Sequence, residues 1–155
     1  MSVPVNNKLA ALLGKADTVK LLVTTDEKGP PHAVVKNSLQ LAEKNQLIYL
    51  ELLESSQTNK NMVRSIWFNR PVTVAVVGTD GSSYQISSKP VKAIVSGPLF
   101  RKYYEQIREK LGDVDLAAVW VLEPQRIVDQ SFPVRRRQEE ASRPYFKHLD
   151  RLAKH

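Results

Sequence analysis

The chain contains no cysteine, and this absence removes several kinds of chemistry at once. It has no disulfide framework, no thiol nucleophile and no thiolate metal site. Its three histidines, His32, His148 and His155, lack the spacing of a metal site. No apolar run approaches the roughly 18 residues of a membrane-spanning helix, and the first residues do not resemble a signal peptide. We therefore expect a cytoplasmic protein with no bound metal and no membrane contact.

The residues that are present describe an ordinary folded domain with a basic surface. Of 155 residues, 42% are hydrophobic and 25% are charged, which predicts a single domain over residues 1–155. The net charge of +7 suits nucleic acid, an anionic membrane or an anionic cofactor. The one dense basic cluster, Arg135–Arg137, is followed at once by Glu139 and Glu140. A solvated basic surface is therefore favoured over a nucleic-acid interface.

The apolar pattern predicts about seven strands, joined mostly by hairpins, with helices inserted between them. Asp80 and Gly81 mark a hairpin turn, and Pro124 with Gln125 marks another. The prediction is a mainly β (α+β) antiparallel barrel of six to seven strands, with a two-sheet sandwich as the alternative. The predicted strands cover residues 19–25, 31–41, 46–53, 72–77, 84–95, 116–122 and 126–128. Four helices are predicted. The first ends near Gly14, two cover about residues 57–68 and 98–111, and the last forms a C-terminal tail over about residues 133–153.

A polar run between a strand and a helix is the most suggestive feature for binding. The predicted strand Leu47–Leu50 is followed by the polar residues Glu54–Asn61, where a helix begins. Free backbone N–H groups at a helix N-terminus are a common place for a phosphate to bind. The same residues are also ordinary helix caps, and both interpretations stay open. Lys36, in the preceding strand, either faces solvent or points towards an anion.

Four motifs, in this order and spacing, resemble the pyridoxamine-phosphate-oxidase-like, FMN-binding split-barrel superfamily over roughly residues 17 to 130. They are Thr24-Thr25-Asp26-x-x-Gly29-x-Pro31-His32, Leu47-Ile48-Tyr49, Ser56-x-Thr58-x-x-Asn61-Met62 and Asn69-x-Pro71-Val72-x-Val74. The resemblance implies a homodimer of six-stranded split barrels with one FMN at each end of the interface.

The resemblance also implies which residues bind the cofactor. The flavin ring would lie along Val34, Val35, Lys36 and Asn37. The phosphate would be held by Ser56, Gln57, Thr58 and Asn61. Many relatives have a basic residue where this chain has Gln57 and Thr58. This departure leaves the phosphate to hydroxyls and helix amides, with Lys36 or Lys60 as candidate cations. The C-terminal Arg-x-His segment with which authentic pyridoxamine-phosphate oxidases grip their substrate is not found in this sequence.

Three functions remain as hypotheses. The first is an FMN-dependent redox protein, either a reductase or an electron-transfer protein, served by a nicotinamide cofactor or a protein electron donor. The second is a protein of the same fold that holds flavin or haem without turnover. The third is a small basic barrel that binds nucleic acid. No residue is singled out as a catalytic acid or base, so whether the protein is an enzyme stays open.

Overall fold

The computed structural model describes residues 2–143, which form a seven-stranded antiparallel sheet and four α-helices. The helices are α1 (Asn7–Leu13), α2 (Gln57–Trp67), α3 (Pro98–Leu111) and α4 (Phe132–Ser142). The strands are β1 (Val19–Thr25), β2 (Pro31–Val35), β3 (Gln40–Leu41), β4 (Leu47–Glu51), β5 (Val72–Val77), β6 (Ser83–Ile94) and β7 (Ala118–Asp129). The predicted mainly β fold with inserted helices is confirmed. The rest of the predicted helical tail, beyond residue 143, lies outside the described residues.

The sheet curls and closes through a single segment of chain. Its strand order is β2-β1-β5-β6-β7-β4-β3, so the two edge strands follow one another in the sequence. Residues 36–39, here called the crossing segment, carry the chain from the β1 side to the β4 side. The Lys36 N–H donates to the Lys20 carbonyl at 2.8 Å, and the Leu50 N–H donates to the Ser38 hydroxyl at 2.9 Å. These individual hydrogen bonds replace the regular ladder where the barrel closes.

Two predicted strand boundaries are wrong, and both lie where the ladder is irregular. The strand predicted over residues 31–41 stops at Val35 and resumes only at Gln40, because the crossing segment exchanges one partner strand for another. The turn predicted at Pro124 is absent, since β7 continues through it to Asp129. Pro124 pairs with Ser88 at a register shift of β6. Proline has no backbone N–H to donate, so the ladder lacks one donor at a position where its pairing is already irregular.

Two apolar clusters lie on opposite faces of the sheet. The larger one fills the barrel, where α1 contributes Leu9 and α2 contributes Met62, both fully buried. On the outer face, α3 packs Tyr103 and Ile107 against the alternate side chains of β4 and β7, including Leu50. Successive side chains of β4 and β7 therefore point alternately into the inner and the outer cluster. The placement of α3 on the outer face creates the cavity described below.

The Asp80–Gly81 turn and the predicted ends of α1 and α3 are confirmed. The Asn6 side chain accepts a hydrogen bond from the Leu9 N–H at 2.8 Å and begins α1. Pro98 stands in the first turn of α3, and Gly112 ends that helix with a φ of 81° that favours glycine. Gly81, with a φ of 88°, turns the chain between β5 and β6. No helix among the described residues is long and apolar enough to cross a bilayer.

Candidate functional site

The four residues predicted to lie along a flavin ring are divided by the pleat of β2. Val34 packs against the core inside the barrel, so its side chain is directed away from the outer face. Val35, Lys36 and Asn37 instead line a cavity of about 690 Å³ on the outside of the barrel. The structure therefore brings three of the four predicted residues to one cavity, with Val34 behind them.

This cavity, here called the outer cavity, has walls from three parts of the fold. The crossing segment and the end of β4, from Leu50 to Leu53, form one side. The second half of α3 forms the other side, with Gln106, Ile107, Lys110 and Leu111, and Val114 and Asp115 complete it. Its volume falls within the roughly 300–1,000 Å³ that small-molecule sites usually have. The outer cavity is large enough for a flavin ring.

An ion pair joins the crossing segment to the end of β4, and both of its residues line the outer cavity. Glu51, only 1% exposed, lies 3.4 Å from the Lys36 ammonium, measured from Oε2 to Nζ. The Tyr49 hydroxyl donates to the same oxygen at 3.4 Å, and the Leu53 N–H donates to Oε1 at 3.3 Å. Burial, and then the neighbouring Glu51 carboxylate, raise the pKa of Tyr49 well above its usual range. The charge of Lys36 is therefore shared with Glu51, a partner that the sequence did not identify.

A second lysine supports the crossing segment from behind. Lys20, on β1, is 8% exposed and donates from Nζ to the Leu39 carbonyl at 2.7 Å and to the Asn37 carbonyl at 3.3 Å. Its pKa is lowered, first by burial and then by repulsion from the Lys110 ammonium. Lys20 thus fixes the backbone that carries the predicted ring-binding residues.

The predicted phosphate turn is a well-capped helix start. The Ser56 hydroxyl accepts from the Asn59 N–H at 3.0 Å, as an N-cap does. Gln57 donates from Nε2 to the Asn61 Oδ1 at 2.8 Å, and Asn61 donates from Nδ2 to Thr24 Oγ1 at 3.0 Å. Asn61 is therefore tied to β1 and is 2% exposed, as is Thr58.

The turn still suits an anion at its open end. The first regular hydrogen bond of the helix runs from the Lys60 N–H to the Ser56 carbonyl. The N–H groups of Gln57 and Thr58 precede it and therefore have no carbonyl partner within the helix. The positive end of the helix dipole lies at the same place. The run Ser56–Asn59 contains no basic side chain, so backbone amides and hydroxyls would hold a phosphate there.

The turn and the outer cavity are neighbours along the chain. A second cavity, of about 680 Å³, is lined by Leu52–Ser55 and Asp115–Ala117, and it shares Leu52, Leu53 and Asp115 with the first. Its lining reaches Ser55, next to the N-cap. Ser56, Gln57, Thr58 and Asn61 line neither of these two cavities. The fit to FMN is therefore good for the ring and weaker for the phosphate, which lacks a cation.

Sequence reasoning missed four charged or polar residues of this site, namely Lys20, Glu51, Gln106 and Lys110. Glu51 and Lys20 did carry a signal, because each is a single charge within an otherwise apolar or β-branched strand. Gln106 and Lys110 carried none, since they stand on the polar side of an amphipathic helix like many exposed residues.

Comparison with known proteins identifies the fold. No family model matches the chain, and no curated protein does either. Among solved structures, HupZ of Group A Streptococcus is 18% identical with a TM-score of 0.66, and the match covers 83% of this chain and 95% of that one. An FMN-binding protein from Syntrophomonas wolfei is 14% identical with a TM-score of 0.63, covering 79% and 84%.

The same fold occurs in proteins whose descriptions name other ligands or substrates. HutZ, described as the haem storage protein of Vibrio cholerae, is 12% identical with a TM-score of 0.56, covering 82% of this chain and 95% of its own. Structures described as pyridoxamine 5′-phosphate oxidase, one of them from Listeria innocua, match as well. The chain therefore shares its fold with these solved structures, and a barrel with inserted helices is the fold that the sequence motifs implied.

Proposed function

We propose that this chain is an FMN-binding redox protein of the cytoplasm, acting as a reductase or as an electron-transfer protein. The observation that carries the proposal is the outer cavity, because the segment that the sequence motifs assign to the flavin ring forms one of its walls. A nicotinamide cofactor or a protein donor would supply the electrons. When bound, FMN would supply hydride or single-electron transfer, chemistry that no side chain provides.

Different residues would bind the ring and the phosphate of FMN. Val35 and the backbone of the crossing segment form a wall for the ring, and Lys20 holds that wall in place through two carbonyl groups. The Lys36–Glu51 pair fixes the crossing segment to the end of β4. The helix amides of Gln57 and Thr58, with the Ser56 hydroxyl, would bind the phosphate.

Haem is less well supported than FMN by the described residues. A haem iron needs an axial ligand such as histidine, cysteine, methionine or tyrosine. None of the described residues that line the outer cavity is of these types. The basic cluster Arg135–Arg137 is exposed on α4, but Arg136 pairs with Glu140 at 3.1 Å, so a nucleic-acid-binding role is less well supported too.

We also propose that the protein is a homodimer. The rim of the outer cavity is apolar and exposed, with Val35 at 54%, Leu53 at 66% and Leu111 at 56%. Burying such a rim against a second copy would shield a bound flavin from water. Trp67, at 79% exposure, is a further apolar group that a second copy could cover, whereas Trp120 is 2% exposed and belongs to the core of the barrel.

The absorption spectrum of the freshly purified protein tests the cofactor. We expect a flavin spectrum, or quenching of FMN fluorescence when FMN is added to the apoprotein. Thr58→Ala, in the phosphate turn, should weaken FMN binding about tenfold, as the loss of a hydrogen bond to a charged group predicts. Lys36→Ala should weaken it as well, because it breaks the Lys36–Glu51 pair that fixes the wall for the ring. Thr79→Ala, in the exposed β5–β6 turn, is the control and should leave it unchanged. Preference for FAD or haem, or unchanged affinity in both variants, would contradict this form of the proposal.

A further inference from the structure

Helix α2 buries mostly polar side chains and exposes apolar ones, which is the reverse of the usual arrangement. The Ser65 hydroxyl, for example, is buried and donates to the Asn61 carbonyl at 2.8 Å. The buried residues of the helix are Thr58, Asn61, Met62 and Ser65. The solvent side instead carries three large apolar residues at helical spacing, namely Val63 at 42% exposure, Ile66 at 37% and Trp67 at 79%.

The apolar surface continues past the end of the helix to Phe68, which is 61% exposed. The Arg64 guanidinium lies 4.8 Å from the centre of the Phe68 ring and also pairs with Glu27 at 3.4 Å. These contacts hold the exposed ring in place. We call these four residues, Val63, Ile66, Trp67 and Phe68, the α2 patch. A group of exposed large apolar side chains of this kind marks an interaction surface.

The charges beside the α2 patch are positive. No aspartate or glutamate occurs between Glu54 and Asp80, whereas this stretch contains Lys60, Arg64 and Arg70. Lys60 is exposed one turn before the patch, and Arg70 is exposed two residues after it. Among residues 2–143, neither has a carboxylate within 4.0 Å of its charged group. An occupant of the patch should therefore be anionic.

These charges favour a lipid surface over the other possible occupants. Trp67 is among the apolar groups that a second copy could cover, but packing α2 against α2 about a two-fold axis would bring like charges together. The patch lies on the outer side of a helix and lines neither cavity, so it offers a peptide no groove. Aromatic rings beside lysine and arginine are typical of segments that lie on anionic bilayers.

We propose that the α2 patch docks on the surface of an anionic lipid bilayer. Trp67 and Phe68 enter the head-group region, and Lys60 and Arg70 face the anionic lipids. The contact is peripheral and compatible with the absence, among the described residues, of a membrane-spanning helix, on which the expectation of no membrane contact rested. It does not depend on the flavin, because the 11 residues of α2 separate the patch from the phosphate turn by roughly 16 Å.

Vesicle binding by the full-length protein tests the proposal. One set of vesicles contains phosphatidylcholine alone, the other equal parts of phosphatidylcholine and phosphatidylserine, and bound protein is measured by sedimentation. We expect binding only to the anionic vesicles and release by added salt, which screens the attraction. Of the two tryptophans, Trp120 is buried, so a blue shift of the fluorescence on binding reports Trp67. No binding to the anionic vesicles, equal binding to both sets, or binding without the blue shift would overturn the proposal.

Two pairs of variants locate the contact. Trp67→Ala should weaken vesicle binding about tenfold or more, because it removes buried aromatic surface. Phe132→Ala, at an aromatic residue that is 73% exposed beside a basic cluster, is the matched control and should change binding little. Arg70→Gln should weaken binding about fivefold, and Lys8→Gln, at an exposed lysine of α1, should weaken it less. Equal losses within both pairs would show a general effect of hydrophobicity and charge, and would overturn the proposal.

Two further measurements detect the other occupants. If light scattering showed that Trp67→Ala loses a dimer that the wild type forms, a second copy would cover the patch. If the protein bound soluble polyglutamate through Trp67 but did not bind vesicles, the partner would be an acidic protein. Either result would overturn the proposal. FMN titration keeps it separate from the proposed function, because failure of the wild type to bind FMN would reject that function alone.

Discussion

At the scale of single residues, the Glu51 carboxylate has the most demanding environment in the site. Its contacts with the Lys36 ammonium, the Tyr49 hydroxyl and the Leu53 N–H all measure between 3.3 and 3.5 Å. Lys36 retains 18% exposure, whereas Glu51 retains 1%. Loss of Lys36 should therefore destabilise the fold more than loss of Glu51, because an unpaired lysine can still be solvated whereas an unpaired carboxylate at this position cannot.

We expect Lys36→Met to lower the free energy of unfolding by about 1–3 kcal/mol, since it leaves a buried carboxylate without its cation. Glu51→Gln should cost less, and the double variant should recover part of the loss of Lys36→Met. Chemical denaturation of the three variants at neutral pH measures this cycle. A larger cost for Glu51→Gln, or strictly additive effects, would contradict the account of the pair.

The second prediction at this scale concerns Lys20, whose pKa is lowered by burial and then by Lys110. The folded protein binds the Lys20 proton less tightly than the unfolded chain does, so this residue favours folding increasingly as the pH rises towards the ordinary pKa of 10.5. The stability of the wild type relative to Lys20→Met should therefore increase with pH in the alkaline range. The exposed Lys92→Met serves as control. Urea unfolding at several alkaline pH values tests this, and a difference that does not change with pH would refute it.

Predictability at the residue scale depends on whether a partner is local. The cap was one of two interpretations left open for Ser56, and the sequence could offer it because the partner of a cap lies only three positions away. The structure confirms the cap. The partner of Lys36 is Glu51, which only the closure of the barrel brings near. The sequence could not pair them, so it left the direction of Lys36 open.

At the scale of elements, the start of α2 is attached to the barrel by two side-chain hydrogen bonds. Asn59 accepts a hydrogen bond from the Trp120 indole at 2.9 Å, and Asn61 donates to Thr24. These contacts attach the first turn of α2 to β7 and to β1. The turn is therefore held rigid, which favours binding because little ordering is left to occur when a phosphate arrives.

We expect Ser56→Ala to lower the free energy of unfolding by about 1 kcal/mol, the usual cost of a lost N-cap. Ser55→Ala, at an exposed position one residue earlier, should change it little and serves as the control. Thermal unfolding of both variants without FMN gives the comparison. If Ser55→Ala cost as much as Ser56→Ala, the capping role would be misassigned.

Element boundaries were predictable where the chain signals them locally and not where the sheet decides them. Asn6, Gly81 and Gly112 act on their own neighbours, so α1, the β5–β6 turn and the end of α3 lie where predicted. Pro124 was taken for a turn because proline usually interrupts a strand. The register shift in β6 that tolerates it is a property of the neighbouring strand.

At the scale of the whole molecule, we expect light scattering of the FMN-loaded protein to give twice the 17.5 kDa mass of one chain. The interface should bury more than about 1,200 Å², as stable dimers do. Leu53→Glu, on the rim of the outer cavity, should shift the protein towards the monomer. Val95→Glu, at a similarly exposed position away from the cavity, should not. A monomeric wild type with FMN bound would contradict the dimer.

We also expect the FMN-loaded protein not to oxidise pyridoxamine phosphate. That activity needs a second phosphate grip beside the flavin, and the sequence lacks the Arg-x-His segment that supplies it in the oxidases it resembles. The assay follows the formation of pyridoxal phosphate under air. A separate experiment follows bleaching of the flavin by reduced nicotinamide, which we expect to occur. Turnover of about 1 s⁻¹ or more would show the prediction wrong.

The closure of the barrel by residues 36–39 has a consequence for the order in which the chain folds. The pairs β1–β2, β5–β6 and β6–β7 join strands that are consecutive or separated by one helix, whereas β1–β5 and β4–β7 join strands far apart in the sequence. Contacts of long sequence separation form slowly, because a long loop must be closed before they stabilise the chain. The Lys36–Glu51 pair joins residues only 15 positions apart and does not wait for that step. The α3 wall of the outer cavity does, because α3 packs on β4 and β7 together. The ligand site is therefore completed when β4 pairs with β7 and is lost when these strands separate.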